Sequence, residues 1–144
     1  MILMLDLWDG LSIKPMAVVR NPMDVAESLV RRGEPLTQRQ GVALWKTYNR
    51  ALLDFAQNDE CPIAFFDRPN FADQVVHCIH RLGYKDTGAT HFFKDRLVRS
   101  RTADWRDVVE DSEAVALYDQ LAEFAVASYP AQLQQVGLDS KYPT

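Results

Sequence analysis

Pro15-Met-Ala-Val-Val-Arg20 runs straight into Asn21-Pro22-Met23-Asp24, and no other stretch constrains the fold of this 144-residue chain as strongly. A continuous β-branched and apolar run is the pattern of a strand buried on both faces, as in a parallel sheet. The residues after it start a helix. Asn21 suits the N-cap, Pro22 suits the first helical position because the N–H it lacks has no partner there, and Asp24 favours the positive end of the helix dipole. Met23, Ala26, Leu29 and Val30 then fall on one face at helical spacing, and Gly33 supplies the stop.

The rest of the chain continues in the same idiom. Thr37 with Gln40 forms a capping box that opens a longer helix, with Val42, Trp45, Tyr48/Asn49, Leu52 and Phe55/Ala56 on its inner face. Polar Gln57-Asn-Asp-Glu60 ends it. Pro62-Ile-Ala-Phe-Phe66 is a second strand. Phe71, Val75, Cys78/Ile79 and Leu82 mark a third helix that stops at Gly83. Lys85 to Arg106 is irregular and charged, with aromatics at Phe92, Phe93 and Trp105. Glu110-Asp-Ser-Glu113 is an acidic helix start, and Val115, Leu117/Tyr118, Leu121, Phe124/Ala125 and Ser128 carry that helix to Pro130. Met1 to Trp8 is apolar, and at this length periodicity does not separate a short buried strand from the last turns of a helix. The order predicts a helix-rich α/β fold with parallel strands joined by helical crossovers. A sheet commonly has about 5–6 strands, so this one reads as partial.

Composition narrows the function classes. With 47% hydrophobic and 25% charged residues the chain matches an ordinary globular protein, and its length suits one domain over residues 1–144. A net charge of −4 offers no general attraction to nucleic acid or to an anionic membrane, so an anion site has to be built locally. No apolar run approaches the roughly 20 residues of a membrane span. The apolar start lacks a basic leader and a small-residue cleavage site, unlike a signal peptide. Cys61 and Cys78 lack metal-ligand spacing, and a reduced cytoplasm is the expected compartment. Cys78 suits a small core position, whereas Cys61, at a turn, suits an exposed one. His77 and His80 share a helix flank, His91 lies elsewhere, and a metal site needs three or four convergent ligands. No metal is expected.

The chemistry concentrates between Arg20 and Ser28. Arg20 ends a buried strand, where open α/β sheets bind ligands, and the following helix presents free N–H groups to the same crevice. Ser28 lies about 10 Å further along the helix axis, within reach of a guanidinium that folds back. Arg20 as a bidentate fork and Ser28 as a hydroxyl donor can hold one phosphate. The same residues also suit a solvated charge and a small helix position. Arg31, Arg32, Arg39 and Lys46 form one basic stretch, and Arg96, Arg99, Arg101 and Arg106 another. Each suits either a solvated surface or contact with an anionic small-molecule or glycan acceptor.

Arg20-Asn-Pro-Met-Asp-Val-Ala-Glu-Ser28 resembles the 3′-phosphate-binding segment of the sulfotransferase family, in which an Arg-(Asn/Asp/His)-Pro-x-Asp-x-Ala-x-Ser run ends a strand and opens a helix. The apolar run from Ile2 to Trp8, the helix Gly41-x-Ala-Leu-Trp-x-x-Tyr-Asn-Arg-Ala-Leu-Leu53, Pro62-Ile-Ala-Phe-Phe66 and Phe93-Lys-Asp-Arg-Leu-Val-Arg99 are also similar to the bacterial members. The resemblance implies a P-loop-NTPase-like parallel sheet, with Arg20 and Ser28 gripping the 3′-phosphate of 3′-phosphoadenylyl sulfate or of adenosine 3′,5′-bisphosphate. It implies in-line sulfuryl transfer to a hydroxyl or amine.

The departures from the family are specific. No Lys/Arg-x-Gly-Thr-type loop for the 5′-phosphosulfate is present, and no residue occupies the stretch where the family carries its catalytic His or Glu. Asp67-Arg-Pro-Asn-Phe71 replaces the usual Tyr-Glu-Asp-Leu-like run, and the late Arg-Lys-Gly signature is missing. The expectation is therefore a carboxyl-terminal half of the fold that binds the donor nucleotide and supplies no catalytic group. The alternative is a non-catalytic remnant that serves as an oligomerisation or interaction module through its apolar amino-terminal edge.

Overall fold

The computed structural model describes residues 11–68, 70–85, 88 and 102–131. The apolar run at Met1–Trp8 lies outside them, as do His91, Phe92, Phe93, Arg96, Arg99 and Arg101. The described chain is a helix-rich α/β arrangement around a two-stranded parallel sheet.

β1 (Ala17–Val19) and β2 (Ile63–Phe65) pair in parallel with Ala17 opposite Ile63 and Val19 opposite Phe65. Both are shorter than their apolar runs suggest. The crossover between them is α1 (Pro22–Arg31) followed by α2 (Gln38–Asn58), a connection of the length parallel strands require. Asn21 caps α1 by accepting the Asp24 N–H, and Pro22 stands at its first position. Thr37 and Gln40 form the full capping box of α2. Gly33 and Gly83 take positive φ values of 82° and 84° just past α1 and α3 (Phe71–Arg81), the left-handed conformation a helix stop favours.

The sheet is asymmetric. Ala17 N–H donates to Pro62 and Phe66 N–H to Val19, which turns the Val18 N–H and C=O toward the opposite edge. Among the described residues nothing pairs with that edge, and Val18 is 53% exposed. The far edge of β2 is closed by side chains instead. Gln74 of α3 accepts the Phe65 N–H at 2.7 Å, the Tyr129 hydroxyl donates to the Ile63 carbonyl, and Arg68 N–H reaches the Phe65 carbonyl at 3.3 Å. Every residue of β2 is buried.

A short helix absent from the sequence reading, α4 (Trp105–Val108), drives Trp105 into the core against Tyr118 of α5 (Ser112–Val126), with ring centroids 4.8 Å apart. Tyr118 in turn meets Phe65 edge-on at 5.2 Å. The core runs from Val19, Met23 and Ala26 through Trp45 and Leu52 to Leu117, Leu121 and Ala125. Val30, expected on the packed face of α1, is exposed, whereas Met23 and Ala26 of that face are buried. Cys61, expected at an exposed turn, is buried beside β2. Burial pushes the thiols of Cys61 and Cys78 up to about 11, so neither is a thiolate near neutral pH.

α1 and α2 approach so closely that a Cβ at Gly41 would lie 2.9 Å from the Cα and Cβ of Ala26. Gly41→Ala adds about 1 kcal/mol of helix propensity and costs about 1–3 kcal/mol in overpacking. We expect a net destabilisation, read as a lower urea midpoint at unchanged slope. An unchanged or higher midpoint would show that the two helices separate without cost.

Candidate functional site

The turn from β1 into α1 carries a cluster of polar side chains that only tertiary structure assembles. Asp24 is its centre. It is fully buried, one turn into α1, and accepts from Arg20 Nη2 at 2.9 Å, Asn21 Nδ2 at 3.0 Å, Thr102 N–H at 3.0 Å and Thr102 Oγ1 at 2.8 Å. A buried carboxylate is tolerated when it is paired and hydrogen-bonded in this way. Asp67, just past β2, accepts from Asn21 N–H at 2.5 Å and Asn21 Nδ2 at 3.0 Å, with the Tyr118 hydroxyl at 3.4 Å. Its Oδ1 lies 4.0 Å from Arg20 Nε. Asn21 therefore bridges the two acids while its Oδ1 caps the helix.

Arg20 stands at the carboxyl end of β1 with its carbonyl held by Trp45 Nε1 at 2.9 Å. Its guanidinium lies 4.9 Å from the Phe66 ring centroid, and its side chain is 23% exposed. The side chain thus keeps some contact with solvent from a fixed base. The expected partner in phosphate binding, Ser28, is half-buried one helical turn beyond Asp24. In this structure the guanidinium turns to Asp24 rather than along the helix toward Ser28. The result is one guanidinium facing two carboxylates. Burial, reinforced by the neighbouring Asp24 charge, raises the Asp67 carboxyl above the usual range, while the bonds from Asn21 and the charge of Arg20 oppose that rise.

Several described residues of the basic stretches are engaged elsewhere. Arg31 pairs with Glu27 at 2.9 Å on the surface of α1. Lys46 of α2 meets Asp111 at 2.8 Å and Glu113 at 3.0 Å, tying α2 to the start of α5. The hydrogen bonds and charges of these two acids raise the Lys46 ammonium above its ordinary range. Arg106 forms a fork with Asp119 at 2.7 and 3.1 Å. Arg39 lines a cleft of about 410 Å³ with Met23, Gln38, Val108, Glu110 and Asp111. His77 Nε2 sits 3.0 Å from the Ser128 carbonyl and its ring stands edge-on to Tyr129 at 5.5 Å, while His80 is exposed.

Among the described residues no helix is long and apolar enough to cross a membrane. Nor do these residues gather three or more His, Cys, Asp or Glu side chains that could hold a metal ion. No family model, curated protein or solved structure matches this chain.

Sequence reasoning missed Asp67 and Thr102 as partners of this site, and saw Asp24 only as a helix-dipole residue. Thr102 lies in a stretch without periodicity. Asp67 could have been suspected from its place directly after a buried strand, the same position that singles out Arg20.

Proposed function

We propose that this chain is a sulfotransferase-like domain of P-loop-NTPase-like ancestry that binds the 3′-phosphate end of 3′-phosphoadenylyl sulfate or adenosine 3′,5′-bisphosphate through Arg20 and Ser28. The observation that carries the reading is the placement of Arg20. It ends a parallel strand at the mouth of a capped helix, with its backbone fixed by Trp45 and its side chain 23% exposed. Arg–phosphate forks are the strong form of such contacts. To accept the anion the guanidinium keeps its Nη2 contact with Asp24, and Ser28 adds a hydroxyl. Sulfuryl transfer to a hydroxyl or amine then needs a general base and a 5′-phosphosulfate cradle supplied from outside the described residues.

Thermal melting of the full chain with adenosine 3′,5′-bisphosphate and with 5′-AMP tests this. A ligand at about 100 Kd stabilises by about 2.7 kcal/mol. We expect the bisphosphate to raise the melting temperature well beyond 5′-AMP. Loss of a charge-assisted contact is worth about 1.5–3 kcal/mol, so Arg20→Ala should weaken the bisphosphate more than tenfold, with a smaller loss for Ser28→Ala. Equal shifts for both nucleotides would overturn the assignment.

A second reading, a non-catalytic module that associates through its sheet edge, is favoured by the exposed Val18 on β1 and by Leu11 and Ile13 nearby in sequence, at 59% and 49% exposure. It predicts a melting temperature indifferent to both nucleotides.

A further inference from the structure

We infer that an anion seated on Arg20 is bound together with one proton, taken from solvent by Asp67, so that Asp67 sets the pH range over which this corner accepts a phosphate. This rests on the proposed anion-binding reading and adds its regulation. The argument begins with charge. Arg20 already compensates Asp24 at 2.9 Å and stands 4.0 Å from Asp67. A phosphate monoester brings a charge of about −1.5 to −2 near neutral pH. Added to the two carboxylates that share the Arg20 guanidinium among the described residues, a third anion favours protonation of whichever carboxylate yields most easily.

The two acids are unequal. Asp24 takes four donors, including Arg20 Nη2 and both groups of Thr102, and it is the more deeply buried, with its side chain 1% exposed against 14% for Asp67. Asp67 takes two bonds from Asn21 and a long one from Tyr118, and among the described residues the cation beside it is Arg20, with Nε at 4.0 Å. The groups facing it are Arg20 from the end of β1, Asn21 and Asp24 from the start of α1, and Tyr118 from α5. In its own turn Arg68 lies over the Phe65 ring at 5.2 Å, and Arg106 lies behind Tyr118 at 5.5 Å from that ring. Its carboxyl already sits above the usual range through burial first and the Asp24 charge after it. On protonation one Asp67 oxygen gains an O–H, the charge of the group falls to zero, and the O–H donates to an anion oxygen while Asn21 keeps its bonds to the acid. The proton comes from the buffer and no other bond forms or breaks.

Because the bound state holds more protons than the free state, affinity weakens as pH rises, by at most about tenfold per pH unit for one proton. Calorimetry of the full chain with adenosine 3′,5′-bisphosphate in two buffers of different ionisation enthalpy measures the uptake directly. Wild type should take up more protons per nucleotide than Asp67→Asn, and at about pH 8, where a free carboxyl is fully ionised, Asp67→Asn should bind more tightly than wild type. Equal proton uptake in the two proteins overturns the inference and leaves the nucleotide site standing. No binding heat from wild type removes the site and the inference together. If Asp67→Asn does not fold, inorganic sulfate decides on wild type alone, because its charge is constant over this range. Affinity that falls with pH supports proton coupling, and a flat profile overturns it.

Discussion

Asp24→Ala should destabilise this protein by about 3–5 kcal/mol, the range for breaking a buried ion pair by removing one partner. The side chain is 1% exposed. Its removal takes from Arg20 the carboxylate at 2.9 Å and leaves the Thr102 N–H and hydroxyl and one Asn21 amide hydrogen without their acceptor. Folded domains are stable by about 5–15 kcal/mol, so the loss is a large share of the total. Urea unfolding followed by circular dichroism gives the value. Asp24→Asn keeps the shape and one acceptor oxygen but loses the charge opposite Arg20, and should fall between wild type and Asp24→Ala. A cost below about 1 kcal/mol for Asp24→Ala, the size of an ordinary hydrogen bond, would show that the cluster does not organise the β1–α1 turn.

Gln74→Leu is expected to cost about 2–4 kcal/mol, although leucine is apolar, of similar size and placed in a buried site. Gln74 is fully buried on α3 and does the hydrogen-bonding work of a missing neighbour strand. It accepts the Phe65 N–H at 2.7 Å and the Tyr129 hydroxyl at 3.0 Å, and donates to Asn70 Oδ1 at 2.7 Å. Leucine leaves a buried backbone N–H unsatisfied, and each such group costs about 1–3 kcal/mol. Tyr129 retains the Ile63 carbonyl as a partner, so the loss falls mainly on Phe65. Hydrogen exchange at Phe65 should quicken in the variant by more than at Phe66, whose N–H donates across the ladder to the Val19 carbonyl. Equal protection at the two residues would mean that α3 does not close this edge.

The elements themselves were readable. Asn21-Pro22 and Thr37-x-x-Gln40 state their helix starts in local chemistry, and Gly33 and Gly83 state the stops, because these are contests among neighbouring atoms that sequence spacing records. The parallel relation of the strands followed from the helical length between them. The partnerships of the charged residues were not readable. Lys46 sits 65 positions before Asp111 in the chain, and nothing local indicates that they meet at 2.8 Å. Gln74 reads as a solvent-facing helix residue by polarity, and only the bare edge of β2 beneath it explains its burial.

The same division runs through the candidate site. The sequence by itself determined that Arg20 ends a strand at a helix mouth with Ser28 two turns on, because backbone propensity, proline and capping act over a few residues. The burial on both faces that the apolar run suggested does not hold for β1, where Val18 is exposed. The tertiary structure alone decided what the guanidinium faces: Asp24 one turn into the same helix, Asp67 from the next strand and Thr102 from a distant segment. Those charges converge because burial demands that each find a partner, and the partner is chosen by which segments the packed core brings together rather than by their order along the chain.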